Sequence, residues 1–221
     1  MTRQQPLKKL KDPENNATAP KAFCTRCGTC CKNGGPAIHR EDRELIEKGN
    51  IPLQYLFTIR EHEPSFDNIK NMIEPAETDI VKIKSKSNSH ECIFHDPDLS
   101  GCRIYPDRPI ECRILMCRNT KGILSIYDQN RISRQELLFK TDEIWDLVQH
   151  HHHRCSYRKI ALLADRIKAN SPDAFQEVSS MIQYDNSLRR LLVEKNEKLS
   201  GVLEFLLGRP LSQTISLFGL T

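Results

Sequence analysis

Residues 24–31 read CTRCGTCC, so four cysteines (Cys24, Cys27, Cys30 and Cys31) fall within eight residues in the pattern C-x-x-C-x-x-C-C. Thiolates at two-residue intervals can converge on one metal ion or one iron–sulfur cluster. Adjacent side chains diverge in both extended and helical backbone. The last two cysteines are therefore expected to serve two metal sites, or two sides of one multi-metal centre.

A second stretch, residues 92–117, carries the partner cysteines Cys92, Cys102, Cys112 and Cys117. Eight thiols suffice for two four-thiolate sites or for one larger centre, and the spacing leaves the pairing open. Cations flank these cysteines or lie near them, and they can offset the negative charge of a thiolate centre and lower thiol pKa values. They are Arg26, Lys32, Arg103, Arg108, Arg113 and Arg118.

Composition predicts a soluble protein of one large or two small domains, since the chain has 221 residues, 28% charged residues and a net charge of +4. It has one tryptophan and no dense basic stripe with interleaved aromatic residues, which argues against nucleic-acid binding. Neither a signal peptide nor an apolar run of ~20 residues is present, so we expect no membrane association and a cytoplasmic location. In that reducing compartment, nine cysteines favour metal ligation over disulfides.

The local patterns predict an α+β fold in three parts. Residues 1–20 are polar and aperiodic and predict a disordered tail. Residues 21–128 are expected to form a small metal-binding domain of short strands and helices around the cysteine cluster. Residues 129–221 show helical periodicity and predict an α-helical C-terminal region, which is also the candidate surface for a protein partner.

Several short elements are expected in the cysteine-rich part. Glu41–Lys48 predicts a helix that ends at Gly49, and Pro52–Arg60 predicts a second helix with proline in its first turn. Ile80–Ile83 alternates apolar and polar side chains and is the best strand candidate, and Ile123–Tyr127 is another.

The C-terminal part carries explicit helix start signals. Ser133 and Glu136 match a capping box, and Ser171 precedes a first-position proline, Pro172. Apolar residues at 202–206 begin a final short helix.

Four consecutive histidines precede Cys155. His150 and His153 share a helix face, so a metal site is one alternative. We favour a polar helix end, where imidazoles interact with the last carbonyls. His95, three residues after Cys92, is another alternative ligand, and we expect it to be a solvent-facing polar residue.

Together the two cysteine segments resemble the CxxCxxCC (YkgJ-like) family of zinc- or iron-chelating proteins. The resemblance rests on residues 24–31, on Cys92-Ile93-Phe94, and on residues 102–113, CRIYPDRPIECR, which fit C-x-I-Y-x-x-R-P-x-x-C-R. It covers about residues 21–120 and implies metal chelation by the cysteines at these positions. Cys117 follows Ile-Leu-Met where family members often carry a Phe-Pro element, so the resemblance defines its role less well.

The resulting prediction is a protein that chelates zinc or iron, with a 4Fe-4S cluster as an alternative, through all eight cysteines. Because zinc and iron both accept four thiolates, the sequence leaves the metal open. The flagellin lysine methylases carry a similar cysteine pattern, so an iron–sulfur-dependent enzyme is a second hypothesis. The chain lacks a glycine-rich loop for a nucleotide-like methyl donor. A metal-nucleated interaction module is the third hypothesis.

Overall fold

The computed structural model describes residues 24, 26–98, 101–117, 119–138 and 142–220. The disordered tail predicted at residues 1–20 lies outside them. The structure confirms the α+β class, because short two-stranded sheets occupy the first half of the chain and helices dominate the second.

Six short strands pair two by two. β1 pairs with β4, β2 with β3, and β5 with β6, and the last pair is antiparallel with His95 opposite Cys102. The strands are β1 (Leu56–Ile59), β2 (Pro64–Asp67), β3 (Met72–Pro75), β4 (Ile80–Ile83), β5 (His95–Asp96) and β6 (Gly101–Cys102). Strand β4 confirms the strand predicted from the alternation at these residues.

The three long helices lie in the second half of the chain. Those of the first half are α1 (Arg43–Glu47), α2 (Ile110–Ile114) and α3 (Lys121–Leu124). The following helices are α4 (Arg134–Leu137), α5 (Asp142–Arg154), α6 (Tyr157–Lys168), α7 (Pro172–Lys195), α8 (Leu203–Leu207) and α9 (Leu211–Thr214).

The chain forms two compact units that interleave along the sequence. The first comprises the described residues of Met1–Ile51, Phe66–Met72 and Lys82–Ile132, and the second those of Pro52–Ser65, Ile73–Val81 and Ser133–Thr221. All eight candidate ligand cysteines belong to the first unit. The sequence-based limits of the metal-binding domain, 21–128, and of the helical region, 129–221, stay a prediction.

In the first unit, apolar side chains anchor the segment that follows the first cysteine cluster. Ile38, Ile83 and Ile132 are almost fully buried. The amide of Ile83 donates to Pro36 O at 3.0 Å, and that of Ile132 donates to Ile38 O at 3.2 Å. Only glycine fits at position 35, because a Cβ there would lie 2.2 Å from the carbonyl oxygen of Ile83. The chain leaving the cysteines is therefore held against β4.

The predicted helix over Pro52–Arg60 is wrong. A 3-10 turn at Leu53–Tyr55 leads directly into β1. Leu56 and Thr58 are buried while their neighbours are partly exposed, a period of two that suits a strand. The hydroxyl of Thr58 donates to Phe205 O at 2.7 Å, a contact distant in sequence that overrides the local helix signal.

The strand predicted at Ile123–Tyr127 is also wrong, because α3 begins just before it. The side chain of Asn119 accepts from the amide of Lys121 at 3.1 Å, and the hydroxyl of Ser125 donates to Gly122 O at 2.7 Å. These local bonds favour a helical turn over an extended chain.

In the second unit the sequence-encoded helix starts are confirmed. Ser133 and Glu136 form the reciprocal capping box of α4, and Pro172 opens α7 after Ser171. Helices α6 and α7 pack together around a buried core that includes Tyr157. No helix in the described ranges has both the length and the apolar character needed to cross a membrane.

Candidate metal centre

The first cysteine segment is a tightly turned loop. Arg26 and Gly28 adopt positive φ angles of 58° and 74°, and a 3-10 turn follows at Cys31–Asn33. The amide of Lys32 donates to Gly28 O at 3.1 Å. The backbone from Cys27 to Asn33 is therefore curled and not extended. Cys24, Cys27 and Cys30 are exposed, and Cys31 is half-buried.

The two adjacent cysteines face each other. Their Sγ atoms lie 4.0 Å apart. Two sulfurs on one tetrahedral metal, with bonds of ~2.3 Å, are separated by about 3.8 Å. The expectation that Cys30 and Cys31 diverge is therefore wrong: the helical backbone at Cys30 lets the two side chains turn toward each other, and both can bind the same ion.

This contact also favours the thiolate form of Cys30. Interaction with Cys31 lowers the pKa of Cys30 to about 6, and the same contact raises the pKa of Cys31 because the pair shares one proton. The thiolate is the form that binds metals. Of the two thiols, Cys30 is therefore the one that ionises more readily.

The second cysteine segment is hydrogen-bonded to the first. The amide of Cys92, which is buried, donates to Cys31 O at 2.7 Å. The hairpin of β5 and β6 then returns the chain, so that Cys102 lies opposite His95. A main-chain bond between residues 61 positions apart brings the two ligand segments together.

A cation–π sandwich gives a physical role to the Tyr and Arg of the C-x-I-Y-x-x-R-P stretch. The guanidinium of Arg26 lies 4.0 Å from the centroid of the Tyr105 ring, and that of Arg108 lies 3.7 Å from it. Arg26 comes from the first cysteine loop, so Tyr105 connects the two segments. Burial raises the pKa of Cys102, and the charge of Arg108 opposes that shift. Among the other predicted flanking cations, Arg118 lies outside the described residues.

The carboxylates of Asp42, which is buried, and of Glu111, which is half-buried, fix the helix that carries Cys112. A carboxylate oxygen of Asp42 accepts from the amide of Ile110 at 2.7 Å, at the start of α2. Glu111 accepts from the amide of Ala37 at 2.8 Å, and the second oxygen of its carboxylate lies 3.1 Å from His39 Nε2. Nothing in the local sequence indicates these carboxylates, because their partners lie about 70 positions away.

Electrostatics connects thiols from both segments. Burial raises the pKa of Cys112 well above its ordinary value, and the charges of Cys30, Cys92 and Cys102 raise it further. The charges of Cys92 and Cys102 also raise the pKa of Cys31. Such mutual shifts require proximity in a partly desolvated site. Five of the predicted ligands are therefore close enough to influence one another's ionisation.

Cys117 lies among the remaining cysteines. Burial raises its pKa, and the charges of Cys30, Cys27 and Cys24 raise it further. Cys30 thus interacts with both sets of thiols. The Sγ atoms of the eight cysteines do not form a group of three within 4.8 Å of one another in the described part of the chain.

One closer group of ligand-type side chains lies in the second unit, where atoms of His151, Cys155 and Asp185 are within 4.8 Å of one another. All three residues are fully buried. Asp185 already accepts hydrogen bonds from His151, Arg189 and the amide of Leu211, at 2.8, 2.9 and 2.8 Å. A metal there would face the guanidinium of Arg189, so we interpret the group as an ion-pair network that holds α5, α7 and α9 together.

Cys155 is chemically different from the other cysteines. Burial raises its pKa to about 12, so it remains a protonated thiol at neutral pH. Its Sγ lies 3.9 Å from Met181 O. It behaves as a small core residue, and this agrees with its position outside the C-x-x-C-x-x-C-C pattern.

The histidine run lies at a helix end, as predicted. His151–Arg154 form the last turn of α5. His150 and His153 are exposed, whereas His151 is buried against Asp185. The sequence offers one signal for this pairing, since Asp185 follows Val178 and Met181 at helical spacing on the buried face of α7.

The buried histidine predicts a pH dependence of stability. Burial lowers the pKa of His151 to about 4, although hydrogen bonding to Asp185 opposes the shift. Between pH 6.5, the ordinary value, and pH 4, the unfolded chain binds a proton that the folded chain does not. We therefore expect the free energy of unfolding to decrease as the pH is lowered through this window, by about 3 kcal/mol in total.

Urea unfolding at pH 7 and at pH 5 measures this effect. His151→Gln retains a donor for Asp185 but does not titrate, and it should show a weaker pH dependence than the unmodified chain. Equal pH dependence in both proteins would contradict the assignment.

The comparisons with known proteins agree with the ligand chemistry of the first unit. Residues 23–121 match the model of the CxxCxxCC family, described as "Putative zinc- or iron-chelating domain". The matched range contains all eight clustered cysteines and excludes Cys155. No curated protein and no solved structure matches the chain.

Proposed function

We propose that the chain binds zinc or iron through eight cysteine thiolates, because residues 23–121 match the model of the CxxCxxCC family. The 4Fe-4S cluster is the alternative form of the iron centre. The proposed ligands are Cys24, Cys27, Cys30, Cys31, Cys92, Cys102, Cys112 and Cys117.

The 4.0 Å separation between the sulfurs of Cys30 and Cys31 carries the proposal. It suits two ligands of one tetrahedral ion. Thiolate donors select zinc and iron–sulfur centres over the hard cations magnesium and calcium. The donor set therefore fits the metals of the family description.

Charge supports the same conclusion. Four thiolates around a divalent ion leave a net charge of −2, and burying it requires nearby cations or backbone donors. The guanidinium groups of Arg26 and Arg108 stack on Tyr105 beside the cysteine segments. They supply positive charge from both segments without occupying a ligand position.

Anaerobic purification followed by measurement of zinc, iron and acid-labile sulfide tests the proposal. We expect stoichiometric metal, and sulfide only if the centre is an iron–sulfur cluster. Free, readily titrated thiols with no bound metal would refute the proposal. A brown protein with sulfide would favour the iron–sulfur alternative, on which the enzymatic hypothesis also depends.

Cysteine variants identify the site within the chain. Cys27→Ser and Cys112→Ser should each lose roughly half or more of the bound metal, since a hydroxyl is a poor replacement for a thiolate. Cys155→Ser is the matched control, because Cys155 is buried in the second unit, and its metal content should equal that of the unmodified chain. Metal loss in this control would place a ligand outside the eight cysteines.

A protein-binding role for the helical C-terminal region is a second candidate. Leu162 on α6 and Phe175 on α7 are large apolar residues with exposed fractions of 64% and 62%. The double substitution Leu162→Asp and Phe175→Asp should reduce the amount of any protein partner that co-purifies with the chain. It should leave the metal content unchanged. A simultaneous loss of metal would show that the two roles are not separable.

A further inference from the structure

The eight proposed ligands differ in how far solvent can reach them. Four of these cysteines are exposed, three are half-buried, and Cys92 is buried. We call the exposed residues the open set and the others the enclosed set. The open set is Cys24, Cys27, Cys30 and Cys117, and the enclosed set is Cys31, Cys92, Cys102 and Cys112. Half of the proposed ligands are therefore accessible to another molecule in solution.

Main-chain hydrogen bonds hold the residues of the enclosed set. The amide of Cys92 donates to Cys31 O at 2.7 Å. Cys102 is paired in the β5–β6 ladder, and Cys112 lies on α2. A competing ligand has restricted access to thiolates in such positions until the surrounding backbone opens, and local opening costs free energy. We therefore expect metal bonds to the enclosed set to exchange slowly.

His95 closes off part of the first cysteine loop, and its burial contradicts the expectation that it faces solvent. Its side chain is 3% exposed. The ring lies against the main chain of Gly28, because a Cβ built on that glycine would lie 2.4 Å from His95 Nε2. The amide of His95 donates to Cys92 O at 2.9 Å. This contact helps to bury Gly28, whereas the flanking Cys27 and Cys30 are exposed.

Exposed cations lie in the same two segments. Arg26 and Lys32 belong to the first cysteine segment, and Arg103 follows Cys102 directly. All three cations are exposed. Cationic groups beside a site raise the rate at which anions reach it, and the thiolate is the form of a thiol that binds metals. An anionic molecule that carries a thiol therefore suits this surface.

We propose that the chain passes its metal to an anionic, thiol-bearing acceptor through the open set. This inference rests on the proposed metal-binding function. At each step a thiolate of the acceptor bonds to the metal, and one bond between the metal and a cysteine Sγ breaks. The proton that the incoming thiol releases is taken up by the departing cysteine. The metal keeps its oxidation state, so no oxidant or reductant is needed.

A site that serves only folding explains this division less well. Structural zinc sites are closed, with four protein ligands and no open position. Exposed thiols are also the ones most susceptible to oxidation and to competing reagents. A centre with a structural role alone is expected to enclose all of its ligands, as this chain does for four of them.

Transfer kinetics test the proposal on the zinc-loaded chain. Reduced glutathione, an anionic thiol, is the acceptor, and a fixed concentration of a coloured zinc indicator reports the metal that leaves the protein. Transfer by ligand exchange requires a collision, so the rate should rise in proportion to the glutathione concentration. A rate independent of glutathione, in a chain that binds zinc, would overturn the transfer and leave the cysteine proposal intact. A chain that binds no metal would overturn both.

Charge variants give a second readout. Lys32→Gln removes a cation beside the open set without removing a ligand, and it should slow transfer to glutathione by about 2- to 5-fold at low salt. Transfer to cysteamine, a cationic thiol, should not slow. Lys168→Gln is the matched control, because Lys168 is 62% exposed on α6 of the second unit, and it should behave as the unmodified chain does. Equal glutathione rates in the two variants would overturn the selection of an anionic acceptor.

Alkylation distinguishes the two sets within the zinc-loaded chain. Brief treatment with iodoacetamide, followed by peptide mass spectrometry, should modify the open set faster than the enclosed set, because exposure controls the access of the reagent. The comparison of Cys117 with Cys112 is the most direct, since the two lie five positions apart in one segment. Equal modification rates at these two cysteines would overturn the open set as the route of exchange.

Discussion

Treatment with a strong chelator is expected to make residues 24–36 sensitive to trypsin, with new cleavage after Arg26 and Lys32. In this stretch the described residues that are buried are Gly28 and Gly35, neither of which has a side chain to anchor a loop. Metal binding contributes about 10–16 kcal/mol to folding in small structural zinc sites. Without that contribution the cysteine loop has few apolar contacts to hold it.

Mass spectrometry of timed digests, with and without metal, measures this effect. Arg190 is an internal reference, since it is exposed on the long helix α7 of the second unit and should be cut at the same low rate in both samples. Unchanged cleavage after Arg26 on metal removal would show that the loop holds its structure independently of the ion.

Asp185→Ala is expected to lower the free energy of unfolding by about 3–5 kcal/mol, the range found when one partner of a buried ion pair is removed. The carboxylate is fully buried and is the acceptor for His151, Arg189 and the amide of Leu211. Its removal leaves Arg189 Nε, the amide of Leu211 and His151 Nε2 without their hydrogen-bond partner, and it leaves the buried guanidinium without its counter-charge. Helices α5, α7 and α9 lose their common attachment point.

Urea unfolding at pH 7 measures this change. Asp165→Ala on α6 is the matched control, because Asp165 is 80% exposed and its pairing with Lys168 is a surface contact. Such contacts contribute about 0–1 kcal/mol. If the two variants lose similar amounts of stability, the buried network is not a major source of stability for the second unit.

Sequence patterns predicted the helices and strands that are stabilised by interactions between residues close together in the chain. The capping box at Ser133 and Glu136, the proline start of α7 and the alternation in β4 involve residues within a few positions of one another. Residues 52–60 and 123–127 were misassigned. For the former, the bond from Thr58 to Phe205 comes from 147 positions away, and for the latter, side-chain bonds favoured a helical turn over the apolar run.

In the candidate centre, too, some residues could be predicted from the sequence and others could not. Spacing and resemblance predict eight cysteines as its ligands, and the family match at residues 23–121 agrees with the chelating chemistry inferred from them. The supporting residues were not identifiable. Asp42 and Glu111 hold α2 through main-chain amides far along the chain, and the Tyr105 sandwich depends on Arg26 arriving from the first segment.

The sequence by itself determined which donor atoms are available, because thiol spacing and composition are properties of the chain before it folds. Only the tertiary structure decided their directions. Cys30 and Cys31 face each other at 4.0 Å because of the backbone angles in a 3-10 turn, and His95 reaches the cysteine loop because Gly28 has no Cβ. Side-chain direction follows from backbone dihedral angles and from contacts between distant segments, which residue spacing does not specify.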